Sequence, residues 1–135
     1  MPKLSDIKFK AIIVGAVVDN AGTLLLMTTL AAALVSTGLT EDEVMSRMKS
    51  THGLLLGLII GLSCTVMGGY FAGWIAKQAE VLNGALVAVV GMVLAQIFRE
   101  SGMPLWFEIA GVVCMLPAGM AGGYLAHKRR PPIPK

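Results

Sequence analysis

The sequence predicts an all-α polytopic membrane protein: four transmembrane helices arranged as two helical hairpins of parallel topology. Three observations carry that expectation. The 135 residues are 56% hydrophobic and only 14% charged, with a mean hydropathy of +0.75, whereas about a quarter of the residues of a soluble domain are charged. Four apolar stretches, at about 11–35, 54–76, 81–98 and 105–126, approach or exceed the ~20 residues that cross a ~30 Å hydrocarbon core as a helix. Small-residue patterns also recur at fixed shifts along the chain. Helix is the form each stretch must take, because lipid offers backbone N–H and C=O groups no partner outside the segment. Little chain lies between the stretches, so residues 1–135 read as a single membrane domain.

The first stretch follows Lys3, Lys8 and Lys10 and ends near Ala31-Ala32-Ala33, a layout shared with cleaved secretory signals. Asp19 interrupts it and argues for a permanent helix. Nine residues beyond Lys10, Asp19 lies ~13 Å into the membrane at 1.5 Å per residue. An ionised carboxylate at that depth costs about 2.5–3.5 kcal/mol or more, so the side chain is expected to face inward and to be paired or protonated. Gly15 and Gly22 flank it on one helix face, with Asn20 and Thr23 beside it.

Depth supplies candidate partners for Asp19. Ser63, Cys64 and Thr65 lie at a similar level in the second stretch, and Pro117 in the fourth removes a backbone donor and frees the Val113 carbonyl. Two readings stand at this point: a proton- or ion-linked site, or an interhelical hydrogen bond that serves only packing.

Between the first two stretches, Thr40-Glu41-Asp42-Glu43 has the form of a helix N-cap with acidic first-turn residues. Val44, Met45 and Met48 follow as a short apolar stripe, so an amphipathic segment at about 40–50 is expected on the outer surface. It reads as a solvated connector or as an outer lid.

In the second stretch Gly57, Gly61, Cys64 and Gly68 share a face, as do Gly111, Met115, Ala118 and Gly122 in the fourth. Lipid tails give helices no hydrophobic reason to associate. Small residues that let backbones approach supply van der Waals contact instead. Gly15, Gly22, Gly57, Gly61, Gly68, Gly111 and Gly122 are accordingly expected at helix contacts within the bundle or a dimer, the alternative being a glycine-lined path for a substrate. Glu108 lies one turn into the fourth stretch on the Gly111 face, ~5 Å below the outer boundary and ~10 Å above Asp19. It reads as a partner of Arg47, Lys49 or Arg99, or as an acid at the mouth of a path to Asp19. Gln96, near the outer end of the third stretch, fits either arrangement.

A shift of 54 residues aligns Gly57, Gly68, Gly69, Tyr70 and Ala72 with Gly111, Gly122, Gly123, Tyr124 and Ala126. A shift of 69 aligns Gly15, Ala16, Val18 and Gly22 with Gly84, Ala85, Val87 and Gly91. The chain thus reads as a duplicated hairpin, with the segment after the first stretch inserted into the first copy. Ala88 stands where the first copy has Asp19.

Charge sets the orientation. Lys3, Lys8, Lys10, Lys77, Lys128, Arg129, Arg130 and Lys135 fall on one side of a four-span chain, against Arg47, Lys49 and Arg99 on the other. Lys and Arg accumulate on the cytoplasmic side, which places both termini there in a bacterial inner membrane. Tyr70, Trp74 and Tyr124 at the inner boundary and Trp106 and Phe107 at the outer one fit the aromatic belts. The net charge of +3 is thus topological and points to lipid rather than nucleic acid.

Cys64 and Cys114 lack metal-ligand or redox spacing and read as packing residues, and the nine methionines read as filler. Nucleophile-base pairs, phosphate loops and zinc motifs do not occur, so neither enzyme activity nor a metal or cofactor is expected.

Asp19-x2-Gly22-Thr23, Gly68-Gly69-Tyr70-x-Ala72, Asn83-Gly84-Ala85-Leu86-Val87 and Gly122-Gly123-Tyr124-Leu125-Ala126, in that order, resemble a family of small uncharacterised four-helix bacterial inner-membrane proteins. The resemblance covers nearly the whole chain and implies a fold and a membrane, with no activity attached. The first expectation for function is a packing or interaction component, a homo-oligomer or the accessory of other membrane proteins. The alternative is a small oligomeric proton-coupled transporter or channel that uses Asp19.

Overall fold

The computed structural model describes residues 6–98 and 102–129; Lys3, Arg99 and the basic tail from Arg130 onward lie outside the described residues. Five helices follow in order: α1 (Phe9–Ser36), α2 (Glu41–Lys49), α3 (Thr51–Ala76), α4 (Glu80–Ile97) and α5 (Leu105–Lys128). The described residues contain helix and connecting turns alone, and α1, α3, α4 and α5 are long and apolar enough to cross a membrane. Helix α3 packs against α1, α4 and α5, while α1 and α5 each rest on the α3–α4 pair. The start of α1, the end of α3, the start of α4 and the end of α5 meet at one end of the bundle, here termed basal.

Local chemistry explains the boundaries. Helix α1 stops where Gly38 adopts φ +92° and its N–H bonds the Val35 carbonyl, a left-handed closure open to glycine. Thr40 and Glu43 then form a reciprocal capping box for α2: the Thr40 N–H donates to Glu43 Oε2 at 2.8 Å and the Glu43 N–H to Thr40 Oγ1 at 3.4 Å. Those bonds hold the exposed Glu43 carboxyl below its ordinary pKa, the backbone bond first. Of the apolar stripe, Val44 is buried against the bundle, Met48 is half-buried and Met45 is exposed. Ser50 closes α2 and opens α3, its Oγ accepting from the Gly53 N–H at 3.2 Å. Gly53 sits directly on the Arg47 and Met48 carbonyls, so the corner has no room for a side chain.

At the basal end, Lys77 (φ 60°) and Ala79 (φ 45°) bracket the α3–α4 turn in left-handed conformations. Such conformations cost non-glycine residues about 1–2 kcal/mol each. Asn83, completely buried, holds that turn. Its Nδ2 donates to the carbonyls of Asp6 (3.2 Å), Gln78 (3.1 Å) and Ala79 (3.1 Å), and its Oδ1 accepts from the Lys8 N–H at 3.0 Å. One side chain thereby fastens the start of α1 to the α3–α4 turn. Beside it, His127 Nδ1 lies 3.5 Å from Glu80 Oε2 and ties the end of α5 to the start of α4.

Candidate functional site

The bundle divides into a closed basal half and an open distal half. In the basal half glycines bring backbones into direct contact at three crossings. A methyl group on Gly15 would stand 2.6 Å from the Gly68 carbonyl oxygen, and one on Gly68 2.5 Å from the Gly15 oxygen, so α1 and α3 touch there. Gly69 and Gly122 mark the α3–α5 crossing, where a methyl on Gly122 would lie 2.7 Å from the Tyr70 nitrogen and closer still to the Val66 carbonyl. Gly84, Gly119 and Gly123 do the same for α4 and α5.

Above the crossings the helices separate around a cavity of about 540 Å³. Asp19, Asn20, Thr23, Thr65 and Glu108 all line it, together with Gln96. The five polar candidates, drawn from three helices, therefore share one space.

Asp19 forms part of the cavity floor and is 4% exposed, with Thr65 beside it at 1%. Thr65 Oγ1 lies 3.1 Å from Asp19 Oδ1, 3.3 Å from Oδ2 and 3.0 Å from the Gly61 carbonyl oxygen. Since the hydroxyl carries one proton and two acceptor lone pairs, it serves either partner as donor. Facing an ionised Asp19, it donates to the carboxylate. Facing a protonated Asp19, it accepts from the acid and turns its own hydrogen to Gly61. Both states are satisfied by rotation about one C–O bond.

Of the other partners named by depth, Ser63 is exposed and donates to its own helix at Ile59 O, 2.7 Å away. Val113, 63% exposed, and Pro117 lie on the outside of α5, so Asp19 is paired with Thr65 and not with the Val113 carbonyl. Cys64 is buried against Gly22, where a methyl group would lie 3.4 Å from its sulfur. Asn20 donates to the Ala16 carbonyl at 2.8 Å along its own helix, and Thr23 and Glu108 are half-buried at the cavity wall.

The glycine stripes divide between the two halves. Gly15, Gly22, Gly68 and Gly122 lie at helix contacts, and Gly57 has ordinary room against Met27. Gly61 and Gly111 make no helix contact within the chain: a side chain at either would meet nothing within 4 Å, and both line the cavity. The stripe runs straight along each helix, but the helices diverge above their crossings, so the same residue type passes from contact to open wall. Four of the nine methionines, Met27, Met92, Met103 and Met115, line the cavity as well. Their scatter along the sequence gave no sign of that. Gly91 was legible only as a repeat position. In the structure it makes room for the carboxylate, since a methyl there would stand 3.3 Å from Asp19 Oδ2 and 2.8 Å from Met115 Cε.

The two sequence shifts also relate contacts. A shift of 69 carries Asp19 to Ala88, and a shift of 54 carries Thr65 to Gly119. Ala88 and Gly119 are again neighbours, a methyl on Gly119 falling 2.9 Å from Ala88 Cβ. One hairpin thus carries a polar pair where the other carries a close contact of small residues.

Comparisons with protein-family models, curated proteins and solved structures returned no match for the chain.

Proposed function

We propose that the chain is a bacterial inner-membrane protein, with both termini cytoplasmic, that takes a small solute into an outward-facing vestibule and couples its passage to protonation of Asp19. The observation that carries this reading is the placement of a buried carboxyl at the floor of a cavity, beside a hydroxyl able to satisfy either protonation state. A carboxyl serving packing alone gains nothing from a cavity above it. A proton-exchange group needs both an access route and low-cost pairing in two states. The orientation rests on the eight-to-three distribution of Lys and Arg.

The closed basal half makes alternating access, not an open channel, the fitting mechanism. The two hairpins meet backbone to backbone where Gly69 approaches Gly119 and Gly122 approaches Val66 and Tyr70, and hairpins that touch through such smooth surfaces can rock about the midplane site. Duplication of one hairpin followed by loss of the acid at Ala88 accounts for a single protonation site per chain. The accessory or packing reading draws less support. Gly15, Gly22, Gly68 and Gly122, which would dock a partner helix, are taken up inside the chain.

The test is proton flux in proteoliposomes under an imposed pH gradient. Asp19→Asn is expected to lower protein-dependent flux at least tenfold while leaving the folded elution profile unchanged. Flux equal to that of the unaltered protein would remove the proton role.

A further inference from the structure

We infer that Met115 is a movable cover over Asp19: its thioether, seated on Gly91, closes the carboxyl off from the vestibule and swings into the space beside Gly111 to open it. The inference rests on the proposed proton exchange at Asp19 and adds the element that admits the proton. Asp19 lines the cavity, yet it is only 4% exposed, so exchange with the vestibule needs a neighbour to move.

The neighbours differ in their freedom. Helix α3 brings backbone against α1: a methyl on Gly68 would lie 2.9 Å from Asp19 Cβ and 2.5 Å from the Gly15 oxygen. Atoms packed that way move only if the helices part. Thr65, 1% exposed, is within hydrogen-bond distance of both Asp19 and the Gly61 carbonyl, and it redirects its hydroxyl hydrogen without leaving its place. Helix α4 presents Gly91, which has no side chain to move. Helix α5 presents Met115, half-buried at the cavity wall.

Met115 reaches from α5 to the seat that Gly91 provides. A methyl on Gly91 would stand 2.8 Å from Met115 Cε and 3.3 Å from Asp19 Oδ2, so the thioether methyl and the carboxyl oxygen border one methyl-sized space. Methionine is unbranched and turns about three side-chain bonds. Helical side chains lean over the preceding turn. For Met115 that turn holds Gly111 on the same face, where a side chain would meet nothing within 4 Å. The two glycines thus have separate uses: Gly91 makes the closed seat, and Gly111 leaves the room that the open rotamer fills. With the cover closed, an apolar methyl keeps solvent from a carboxyl that Thr65 satisfies. With it open, Asp19 Oδ2 faces the vestibule and exchanges its proton.

The experiment measures how fast dicyclohexylcarbodiimide, which adds to protonated carboxyl groups in apolar surroundings, modifies Asp19 in the purified full chain in detergent. Mass spectrometry of the peptide that contains Asp19 gives the rate. The reference protein carries Cys64→Ala and Cys114→Ala, and Met115→Cys is added to it. A cover that is mostly closed leaves the open state a minor population of about 10% or less, so Met115→Cys is expected to raise the rate at least tenfold. Methyl methanethiosulfonate then converts the Met115→Cys thiol to a methyl disulfide and releases methanesulfinate. That product has the reach and the number of heavy atoms of the methionine side chain, so the rate is expected to return to the reference, and reduction with dithiothreitol to raise it again. Gly111→Leu, which fills the room for the open rotamer, is expected to slow the reaction while the protein stays folded. An unaltered rate in Met115→Cys, no response to methylthiolation, or a faster reaction in Gly111→Leu would overturn the inference. An unaltered rate alongside Asp19-dependent proton flux would discard the cover and keep the proton site. No modification of Asp19 in any variant, together with undiminished flux in Asp19→Asn, would discard both.

Discussion

Adding a single methyl group at Gly122 is expected to destabilise the bundle by about 2–3 kcal/mol, the range seen when a well-packed contact is overfilled. The new carbon would fall on the Val66 carbonyl, 2.7 Å from the Tyr70 nitrogen and 3.0 Å from the Gly69 carbonyl carbon. All three are backbone atoms of α3, which no rotamer change can move aside. Helix α5 would have to withdraw from α3, and packing is what holds transmembrane helices together when lipid supplies no hydrophobic drive. Gly111→Ala is the matched control. It adds the same methyl to the same helix, facing open space, and is expected to stay within about 0.5 kcal/mol of the unaltered protein. Thermal unfolding in mild detergent separates the two; equal midpoints for the two variants would refute the assignment of a closed basal and an open distal half.

Asn83→Asp is expected to cost about 3 kcal/mol or more, the scale for a buried group whose partners are reversed and whose charge is left unpaired. The substitution keeps the shape and exchanges the amide for a second oxygen. That oxygen would face the carbonyls of Asp6, Gln78 and Ala79, three acceptors now served by Nδ2, within a site that is 0% exposed. The loss should reach the left-handed α3–α4 turn, since the bonds to Gln78 and Ala79 are among those that hold Lys77 and Ala79 in their costly conformations. Hydrogen exchange of the start of α1 and of the α3–α4 turn provides the readout: selective deprotection of both is expected, and unchanged protection would show that Asn83 does not fasten them.

Much of the architecture was legible. The four apolar stretches match the long helices to within three residues at each end, because length and apolarity alone decide what can span lipid. The short helix α2 was legible from Thr40 and the acidic residues after it, Thr40 and Glu43 carrying the cap chemistry. Which glycines touch and which face open space was not. Gly61 and Gly68 have the same composition and helical spacing, and only the point where α1 and α3 cross distinguishes them. Asp19 could be assigned a depth from sequence, but Ser63, Cys64 and Thr65 share that depth and differ by rotations of about 100° about the helix axis. The rotation of α3 selects Thr65, and it is fixed by contacts at Gly15 and Gly68 that no local signal encodes. Asn83 shows the opposite difficulty. It stood in the sequence only as the first residue of the Asn83-Gly84-Ala85-Leu86-Val87 run, and its partners come from a chain segment 75 residues earlier that folds back onto it.

The reading of the site depends on water reaching Asp19 from the side away from the termini. Side-specific thiol labelling of Gly61→Cys measures that most directly, in a chain whose Cys64 and Cys114 are replaced by alanine and in sealed vesicles of known orientation. A membrane-impermeant reagent is expected to modify the Gly61→Cys thiol from the distal face and to be blocked from the basal face. Protection from both faces in the folded protein, or modification from the basal face, would contradict an outward vestibule that ends at Asp19.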